Sequence, residues 1–195
     1  MLSAVDLTVP RGSAVGLAGR NGSGKSVLLR CVLGLMIPES GEVWVNGKRV
    51  GKEVEFAPDT GFIIGRPGFI PSCSGYRNLK YLAELKGRAS QERLRSIMAQ
   101  VGLDPDCPKH VNRYSTGMVQ RLGIAQALME DPALLLLDEP FNGLDEEGVR
   151  DMRALLLRQK AEGKTILMTT HNPEDLQILC DAAYRMDAGM LSGLA

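Results

Sequence analysis

The sequence predicts an α/β fold built on a mostly parallel sheet. Short apolar runs typical of strands alternate with helical runs in residues 12–66 and 132–190. One run, Ala133–Leu137, is apolar at every position, as in a strand that is buried on both faces of a sheet. Residues 67–131 differ, because they contain helical patterns and loops without a convincing strand. We therefore expect an α/β core with an N-terminal antiparallel β portion and an inserted helical subdomain.

The length of the chain limits the number of domains. Its 195 residues include 44% hydrophobic and 24% charged residues, as in soluble globular proteins. This length suits one core with a small subdomain. We expect one domain over residues 1–195, with a core of residues 1–66 and 132–195 and a helical subdomain of residues 67–131.

The separate elements follow from periodicity and from residues typical of helix ends. Asn172 and Pro173 suit the N-cap and first position of a helix, Ser90 suits an N-cap, and Gly163 suits a helix C-terminus. The predicted strands are residues 13–18, 42–47, 61–64, 133–137, 164–170 and 182–186. The predicted helices are residues 24–35, 76–86, 90–101, 116–130, 145–162 and 173–181.

Charge and cysteine content exclude several classes of protein. The formal net charge is zero and no long basic block occurs, so we expect no nucleic-acid partner. The N-terminal residues do not form a secretory signal, and the longest apolar run is too short to span a bilayer. The four cysteines are scattered without a C-x-x-C pair, which is typical of reduced thiols in a cytoplasmic protein.

The segment SAVGLAGRNGSGKS has the order of a phosphate-binding loop: a strand, a glycine-rich turn and a helix start. Its glycines let backbone N–H groups converge on phosphate oxygens, and the helix N-terminus adds partial positive charge. Lys25 is predicted to reach the β- and γ-phosphates, and the hydroxyl of Ser26 to bind Mg²⁺. The predicted nucleotide-binding residues are Gly19, Arg20, Asn21, Gly22, Ser23, Gly24, Lys25, Ser26 and Val27.

Three polar residues follow two of the predicted buried strands. Asp138 and Glu139 come directly after Ala133–Leu137, and His171 follows the strand of residues 164–170. The carboxyl ends of parallel strands meet at one edge of the sheet, so these side chains are expected to face the phosphate loop. Asp138 is predicted to hold Mg²⁺, Glu139 to polarise a water molecule, and His171 to act in the same catalytic site.

A second anion site is predicted at the segment YSTGMVQR, which has no acid, histidine or cysteine. Ser115 suits an N-cap, and the backbone N–H groups of Thr116 and Gly117 would open the following helix. An ordinary capped helix with an apolar stripe would fit the same residues, and both interpretations can hold together.

These segments together resemble the ATP-binding cassette family, the nucleotide-binding subunits of ABC transporters, and the resemblance covers nearly the whole chain. GRNGSGKS resembles the family's Walker A motif, LLLLDEP its Walker B motif, FNGLD its D-loop and TTH its switch histidine. YSTGMVQRLGIAQAL resembles the family signature. The resemblance implies a P-loop NTPase that binds ATP with Mg²⁺ and hydrolyses it.

The resemblance also implies partners. Two cassettes, as a homodimer or as a mixed pair, would meet head to tail, with Ser115, Thr116 and Gly117 of each closing over the ATP of the other. Asp145 would lie at the seam between them. The helical subdomain would transmit the motion to a separately encoded transmembrane permease, which implies a peripheral position on the cytoplasmic face of the cell membrane.

The sequence departs from the family pattern at three points. Gly65 stands where the family's Q-loop glutamine is expected, and no aromatic residue for adenine stacking precedes Trp44. Met118 replaces a common glutamine of the signature, as in a branch that resembles bacitracin and lantibiotic exporters, and favours export. The alternatives are a soluble cassette ATPase without a transport role and a weakly hydrolysing nucleotide-binding regulatory module. From Gly65 we predict low ATPase activity of the isolated chain.

Overall fold

The computed structural model describes residues 2–86 and 89–194. Met1, Ala195 and residues 87–88, which fall within the expected domain, lie outside the described residues. The strands are β1 Ala14–Ala18, β2 Trp44–Val45, β3 Lys48–Arg49, β4 Thr60–Ile63, β5 Leu134–Asp138, β6 Thr165–Thr170, β7 Ala182–Asp187 and β8 Met190–Leu194. The α-helices are α1 Lys25–Leu33, α2 Gly75–Lys86, α3 Gln91–Gln100, α4 Thr116–Leu128, α5 Glu146–Ala161 and α6 Pro173–Leu179, and a 3₁₀ turn spans Val111–Arg113.

Six of the strands form one mostly parallel sheet, which confirms the predicted fold class. Its strand order is β4-β5-β6-β1-β7-β8. All neighbouring pairs in it are parallel except β7 and β8, which pair antiparallel. The strands β5, β6 and β1 are adjacent, so their carboxyl ends come together at one edge of the sheet.

Apolar layers cover both faces of this sheet. Strand β5 shows this directly, because Leu135 and Leu137 belong to one buried cluster while Leu134 and Leu136 belong to the other. The first cluster also holds the buried side chains of α2 to α6, and the second packs α1 against the sheet. A strand that is apolar at every position is therefore buried on both faces, as its sequence predicted.

The antiparallel β portion is smaller than the sequence interpretation suggested. The segment 42–47 was predicted as one strand, but it contributes only β2, which turns at Asn46–Gly47 into β3. Asn46 has φ 52° and Gly47 has φ 76°, the conformation of a two-residue hairpin turn. The prediction of a continuous strand was wrong, because Asn-Gly is itself a strong hairpin signal.

The helices agree closely with the periodicity, and differ from it mainly at their ends. Helix α1 stops two residues before its expected end, because Gly34 adopts φ 96° and donates its N–H to the carbonyls of Arg30 and Cys31. Residues 67–86 and 89–131 contain helices and turns without a strand in the part that the structure describes. Ser90 caps α3 by accepting the N–H of Arg93, as its position predicted.

Candidate functional site

The loop between β1 and α1 presents backbone N–H groups to an open cavity. Gly24, at φ 114°, is the N-cap of α1, and no side chain caps this helix. The first N–H groups of α1 are therefore free to bind an anion, and the helix dipole favours one there. The cavity has a volume of about 840 Å³, and its lining from this loop is Arg20, Asn21, Gly22, Gly24, Lys25, Ser26 and Val27.

The remaining two loop residues, Gly19 and Ser23, do not line the cavity but belong to the same loop. A Cβ atom at Gly19 would lie 2.3 Å from the carbonyl oxygen of Met186, so only glycine fits this position. Ser23 is buried, and among the described residues its hydroxyl has no hydrogen-bond partner.

Lys25 is held at the centre of the loop. Its ammonium group donates to the carbonyl oxygens of Gly19 at 2.6 Å and Arg20 at 3.2 Å. The same nitrogen lies 3.8 Å from Oε1 of Glu139, and the Lys25 side chain is only 6% exposed. A buried cation therefore lies between the phosphate loop and the end of β5.

Asp138 and Glu139 meet a buried threonine where β5 and β6 end. Asp138 is the register partner of Thr169 in the neighbouring strand. The Thr169 hydroxyl donates to Oδ1 of Asp138 at 2.7 Å and accepts the N–H of Glu139 at 2.9 Å. One hydroxyl therefore orients the carboxylate of Asp138 and the backbone of Glu139 together.

Glu139 lies in a strained backbone conformation and contacts two cationic or polar side chains. Its φ is 49°, in the left-handed region that residues with a side chain rarely adopt. Oε2 lies 2.9 Å from Nδ1 of His171, and Oε1 is buried near Lys25 without a hydrogen bond from the described residues. The His171 side chain is 67% exposed, so it reaches Glu139 from the solvent side. Backbone strain of this kind is frequent at catalytic positions.

The start of α4 has the capped geometry that the sequence predicted. Ser115 is its N-cap and accepts the N–H of Met118 at 3.2 Å. Thr116 lines the cavity in front of the phosphate loop of the same chain, whereas Ser115 and Gly117 do not. The start of α4 therefore borders this cavity through Thr116, whereas its cap residue Ser115 and its second residue Gly117 do not line it.

Asp145 lies outside the cavity of its own chain. Its Oδ1 accepts the N–H of Gly148 at 2.9 Å and caps α5. The loop before it carries Asn142 and Gly143, which do line the cavity. Within one chain, therefore, Asp145 acts as a helix cap.

Sequence reasoning missed two residues that the structure brings to this site. Thr169 was interpreted as part of a buried strand, although a hydroxyl next to the strand end was a usable signal. Gln120 was interpreted as part of the signature helix, but its side chain donates to the carbonyls of Glu139 and Pro140. Its signal was a polar residue one turn along the helix from the predicted anion site.

The residues that line the cavity fit a nucleoside triphosphate with Mg²⁺. Ser26 and Asp138 both line the cavity and offer hard oxygen ligands, which Mg²⁺ prefers. Within residues 2–86 and 89–194, no cluster of three or more His, Cys, Asp and Glu side chains forms a metal cage. Mg²⁺ is usually held by one or two protein ligands together with substrate phosphates and water, and Ser26 and Asp138 supply that number of ligands.

Gly65 lies at the cavity wall between β4 and α2. It has φ 73°, and no atom lies within 4 Å of the place where its Cβ would be. The position that the resemblance assigns to a glutamine therefore has open space and no side chain.

The fold and this site define a P-loop nucleoside triphosphatase: a parallel sheet, an uncapped helix behind a glycine loop, and an acidic strand end beside it. A family model described as "ABC transporter" matches residues 2–142. The chain therefore belongs to the ABC transporter family, as an ATP-binding subunit that hydrolyses ATP.

Relatives of similar sequence support the same assignment. The uncharacterized ABC transporter ATP-binding protein YybJ of Bacillus subtilis is 40% identical over 98% of this chain and 88% of its own length. Bacitracin transport ATP-binding protein BcrA of Enterococcus faecalis is 37% identical over 98% of this chain, which spans 63% of that relative. Lantibiotic transport ATP-binding protein SrtF of Streptococcus pyogenes is 34% identical over 93% of this chain and 78% of its own length.

Solved structures share the fold over nearly the whole chain. An ATP-binding subunit of an ABC transporter superposes with a TM-score of 0.87 at 29% identity, over 99% of this chain and 83% of that one. A bacterial ABC transporter cassette, solved as a dimer, gives a TM-score of 0.87 at 24% identity, over 100% and 90% of the two chains.

Among the described residues, no helix has the length and apolarity to cross a membrane.

Proposed function

We propose that this chain powers a membrane transporter by hydrolysing ATP at a site shared between two copies. The single observation that carries the catalytic part is the position of Glu139. Its carboxylate lies 2.9 Å from His171 and 3.8 Å from Lys25, at the strand ends beside the phosphate loop. A carboxylate placed between a histidine and the phosphate-loop lysine suits the activation of a water molecule next to a terminal phosphate.

Each residue of the site has a role in this proposal. The N–H groups of residues 19–27 and Lys25 bind the phosphates, and Ser26 and Asp138 hold Mg²⁺. When bound there, Mg²⁺ supplies positive charge that offsets the charge of the phosphate oxygens. Glu139 accepts a proton from the attacking water, and His171 donates a hydrogen bond to the terminal phosphate. Phosphoryl transfer depends mostly on such positioning and charge neutralisation.

The proposed pairing is head to tail, as a homodimer or with a second cassette. Ser115 and Gly117 do not line the cavity of their own chain, and a helix N-terminus such as that of α4 favours a bound anion. In the pair, Ser115, Thr116 and Gly117 would contact the nucleotide of the other subunit, with Asp145 at the seam. ATP would then join two surfaces, and its hydrolysis would release them.

The proposed partner is a separately encoded transmembrane permease, which the chain would meet on the cytoplasmic face of the membrane through its helical subdomain, residues 67–131.

The proposed direction of transport is export. The bacitracin and lantibiotic relatives support this direction, as does Met118 in the signature. A methionine import ATP-binding protein of Symbiobacterium thermophilum is 38% identical and favours the opposite direction. Pull-down of this chain from its native membrane, followed by identification of the bound permease, would therefore decide the direction of transport.

The Glu139→Gln variant tests the shared site. Without the carboxylate, hydrolysis stops while phosphate binding is kept, so ATP and Mg²⁺ should convert the monomer to a dimer in light scattering after size-exclusion chromatography. ADP with Mg²⁺ is the matched control and should leave the monomer. A Glu139→Gln protein that stays monomeric with ATP, even with its membrane partner present, contradicts the shared site.

A weakly hydrolysing regulatory module is the second candidate, and Gly65 favours it. This residue leaves open space at the cavity wall and offers no side chain to water or Mg²⁺. Steady-state phosphate release separates the two candidates. Phosphate release by the wild type that Glu139→Gln abolishes supports the transport ATPase. ATP binding with phosphate release no faster than that of Glu139→Gln supports the regulatory module.

A further inference from the structure

Gln120 connects the signature helix to the backbone of Glu139 within one chain. Its Nε2 donates to the carbonyl oxygen of Pro140 at 2.9 Å and reaches that of Glu139 at 3.4 Å. Both carbonyls belong to the loop that leaves β5. The side chain of a residue in α4 therefore holds the main chain on the C-terminal side of the proposed general base.

The first turn of α4 packs against the same loop farther along. A Cβ atom added to Gly143 would lie 2.6 Å from Cγ2 of Thr116, and one added to Gly117 would lie 3.1 Å from the carbonyl oxygen of Gly143. Gln120 follows Thr116 by four residues and Gly117 by three, so each of them neighbours Gln120 on the surface of the helix. These residues of α4 contact the loop of residues 139–143 at both ends of the loop.

Glu139 needs such support because of its backbone. A left-handed conformation costs a residue with a side chain energy, so it persists only when neighbouring groups hold it. Thr169 accepts the N–H of Glu139, and Asn142 donates its N–H to the carbonyl of Glu139 at 3.2 Å. Gln120 adds the contact from the helical subdomain.

We propose that Gln120 is a positioning residue that ties the orientation of Glu139 to the start of α4. Ser115 caps that start, and Gln120, five residues further along the chain, contacts the backbone of Glu139, so one segment of α4 joins the cap to the general base of the same chain. Engagement of the partner's nucleotide at Ser115 would then steady Glu139 in the chain's own site. This coupling deepens the proposed function and rests on it, whereas the hold of Gln120 on the loop does not depend on nucleotide.

Hydrogen exchange of the nucleotide-free protein tests the hold on the loop. Gln120→Met keeps the length of the side chain and removes its donor. Gln100→Met makes the same change on α3, where the amide donates to the exposed Ser96 and to no other described residue. We expect the amides of residues 141–144 to exchange on the order of tenfold faster in Gln120→Met and at the wild-type rate in Gln100→Met. Unchanged exchange in Gln120→Met overturns the proposal.

Steady-state kinetics add a readout that a general loss of stability would not produce. We expect Gln120→Met to lower kcat on the order of tenfold, because Glu139 loses its alignment. The KM for ATP should stay within about twofold, because the phosphate loop is untouched. Equal losses in kcat and in ATP affinity would assign Gln120 a merely structural role and overturn the proposal.

The link to Ser115 is tested in the Glu139→Gln background with ATP and Mg²⁺. Dimerisation should slow exchange of residues 141–144 in Glu139→Gln, and slow it much less in the double variant with Gln120→Met. Equal slowing in both dimers overturns the link while the shared site stands. If Glu139→Gln forms no dimer at all, the shared site and the link fail together, and the nucleotide-free exchange still decides the positioning role.

Discussion

The hydroxyl of Thr169 donates to Oδ1 of Asp138 at 2.7 Å across the β5–β6 pair. Thr169 is fully buried, and its oxygen also accepts the N–H of Glu139. A single side chain therefore orients the predicted Mg²⁺ ligand and the backbone of the predicted general base. Loss of a group that orients a metal ligand typically lowers metal affinity or activity on the order of 10- to 100-fold.

Thr169→Val should impair the site without emptying space in the core, because valine has the same shape as threonine. It leaves Oδ1 of Asp138 and the N–H of Glu139 without their partner. We expect the Mg²⁺ concentration for half-maximal ATPase activity to rise about tenfold, and the free energy of unfolding to fall by about 1–3 kcal/mol. Mg²⁺ titration of ATPase activity and urea denaturation measure these effects. Thr169→Ser keeps the hydroxyl, and a serine variant as impaired as the valine variant would contradict this role.

Two glycines of the phosphate loop should respond differently to alanine. A Cβ at Gly19 would collide with the carbonyl oxygen of Met186 at 2.3 Å, and a backbone atom cannot move aside cheaply. Gly19→Ala should therefore distort the loop and weaken ATP binding by more than tenfold in isothermal titration calorimetry. At Gly22 no atom lies within 4 Å, so alanine meets only the strain of φ 80°, a cost of about 1 kcal/mol. Similar affinities for the two variants would contradict this explanation.

The sequence predicted the sheet core well, because burial on both faces leaves an unambiguous pattern. Strand β5 is apolar at each position before Asp138, and its leucines divide between the two apolar layers. Strand β8 was missed because its turn lacks the usual signal. Ala188 adopts φ 44° beside Gly189 at φ 82°, where Asn or Asp would be expected before the glycine.

The site was predictable where chemistry depends on sequence-local geometry. The glycine loop with Lys25 and Ser26 and the strand end at Asp138 each lie on one short segment. Thr169 and Gln120 act on Glu139 from 30 and 19 positions away in the chain, so only the folded structure shows their contacts. The left-handed backbone of Glu139 also has no signature in a single sequence, since glutamate does not favour it.

His171→Ala should separate catalysis from folding. The side chain is 67% exposed and touches Glu139 through Nδ1 at 2.9 Å. Removing it should change the free energy of unfolding by less than about 0.5 kcal/mol, and lower kcat on the order of a hundredfold. The other histidine of the chain, His110, is exposed in a loop, and His110→Ala is the matched control. A His171→Ala protein with the kcat of this control would remove His171 from the mechanism.

Asp131, which follows α4, forms ion pairs with Arg93 of α3 and with Lys164, the residue before β6. Its carboxylate lies 2.7 Å from the ammonium of Lys164, whose side chain is 10% exposed, and 3.6 Å from Arg93. The hydrogen bond from Lys164, aided by the nearby charges, lowers the pKa of Asp131 below its ordinary value. A lowered pKa in the folded state stabilises the protein above the pKa of the unfolded aspartate, and this stability is lost as the pH falls through the folded value.

Asp131→Asn should therefore be less stable than wild type near neutral pH, and the difference should vanish in acid as wild-type Asp131 takes up its proton. Asparagine tolerates the left-handed backbone at this position, φ 55°, so the change isolates the charge. The carboxylate is 68% exposed and screened by solvent, which limits the expected difference to about 1 kcal/mol. Urea denaturation between neutral and acid pH measures this difference in the free energy of unfolding.

Asp106→Asn is the control. It removes a carboxylate whose partner, Arg95, is 45% exposed, so it should lower the free energy of unfolding less than Asp131→Asn does. A larger effect of Asp106→Asn would show that burial of the partner cation does not decide the strength of these pairs.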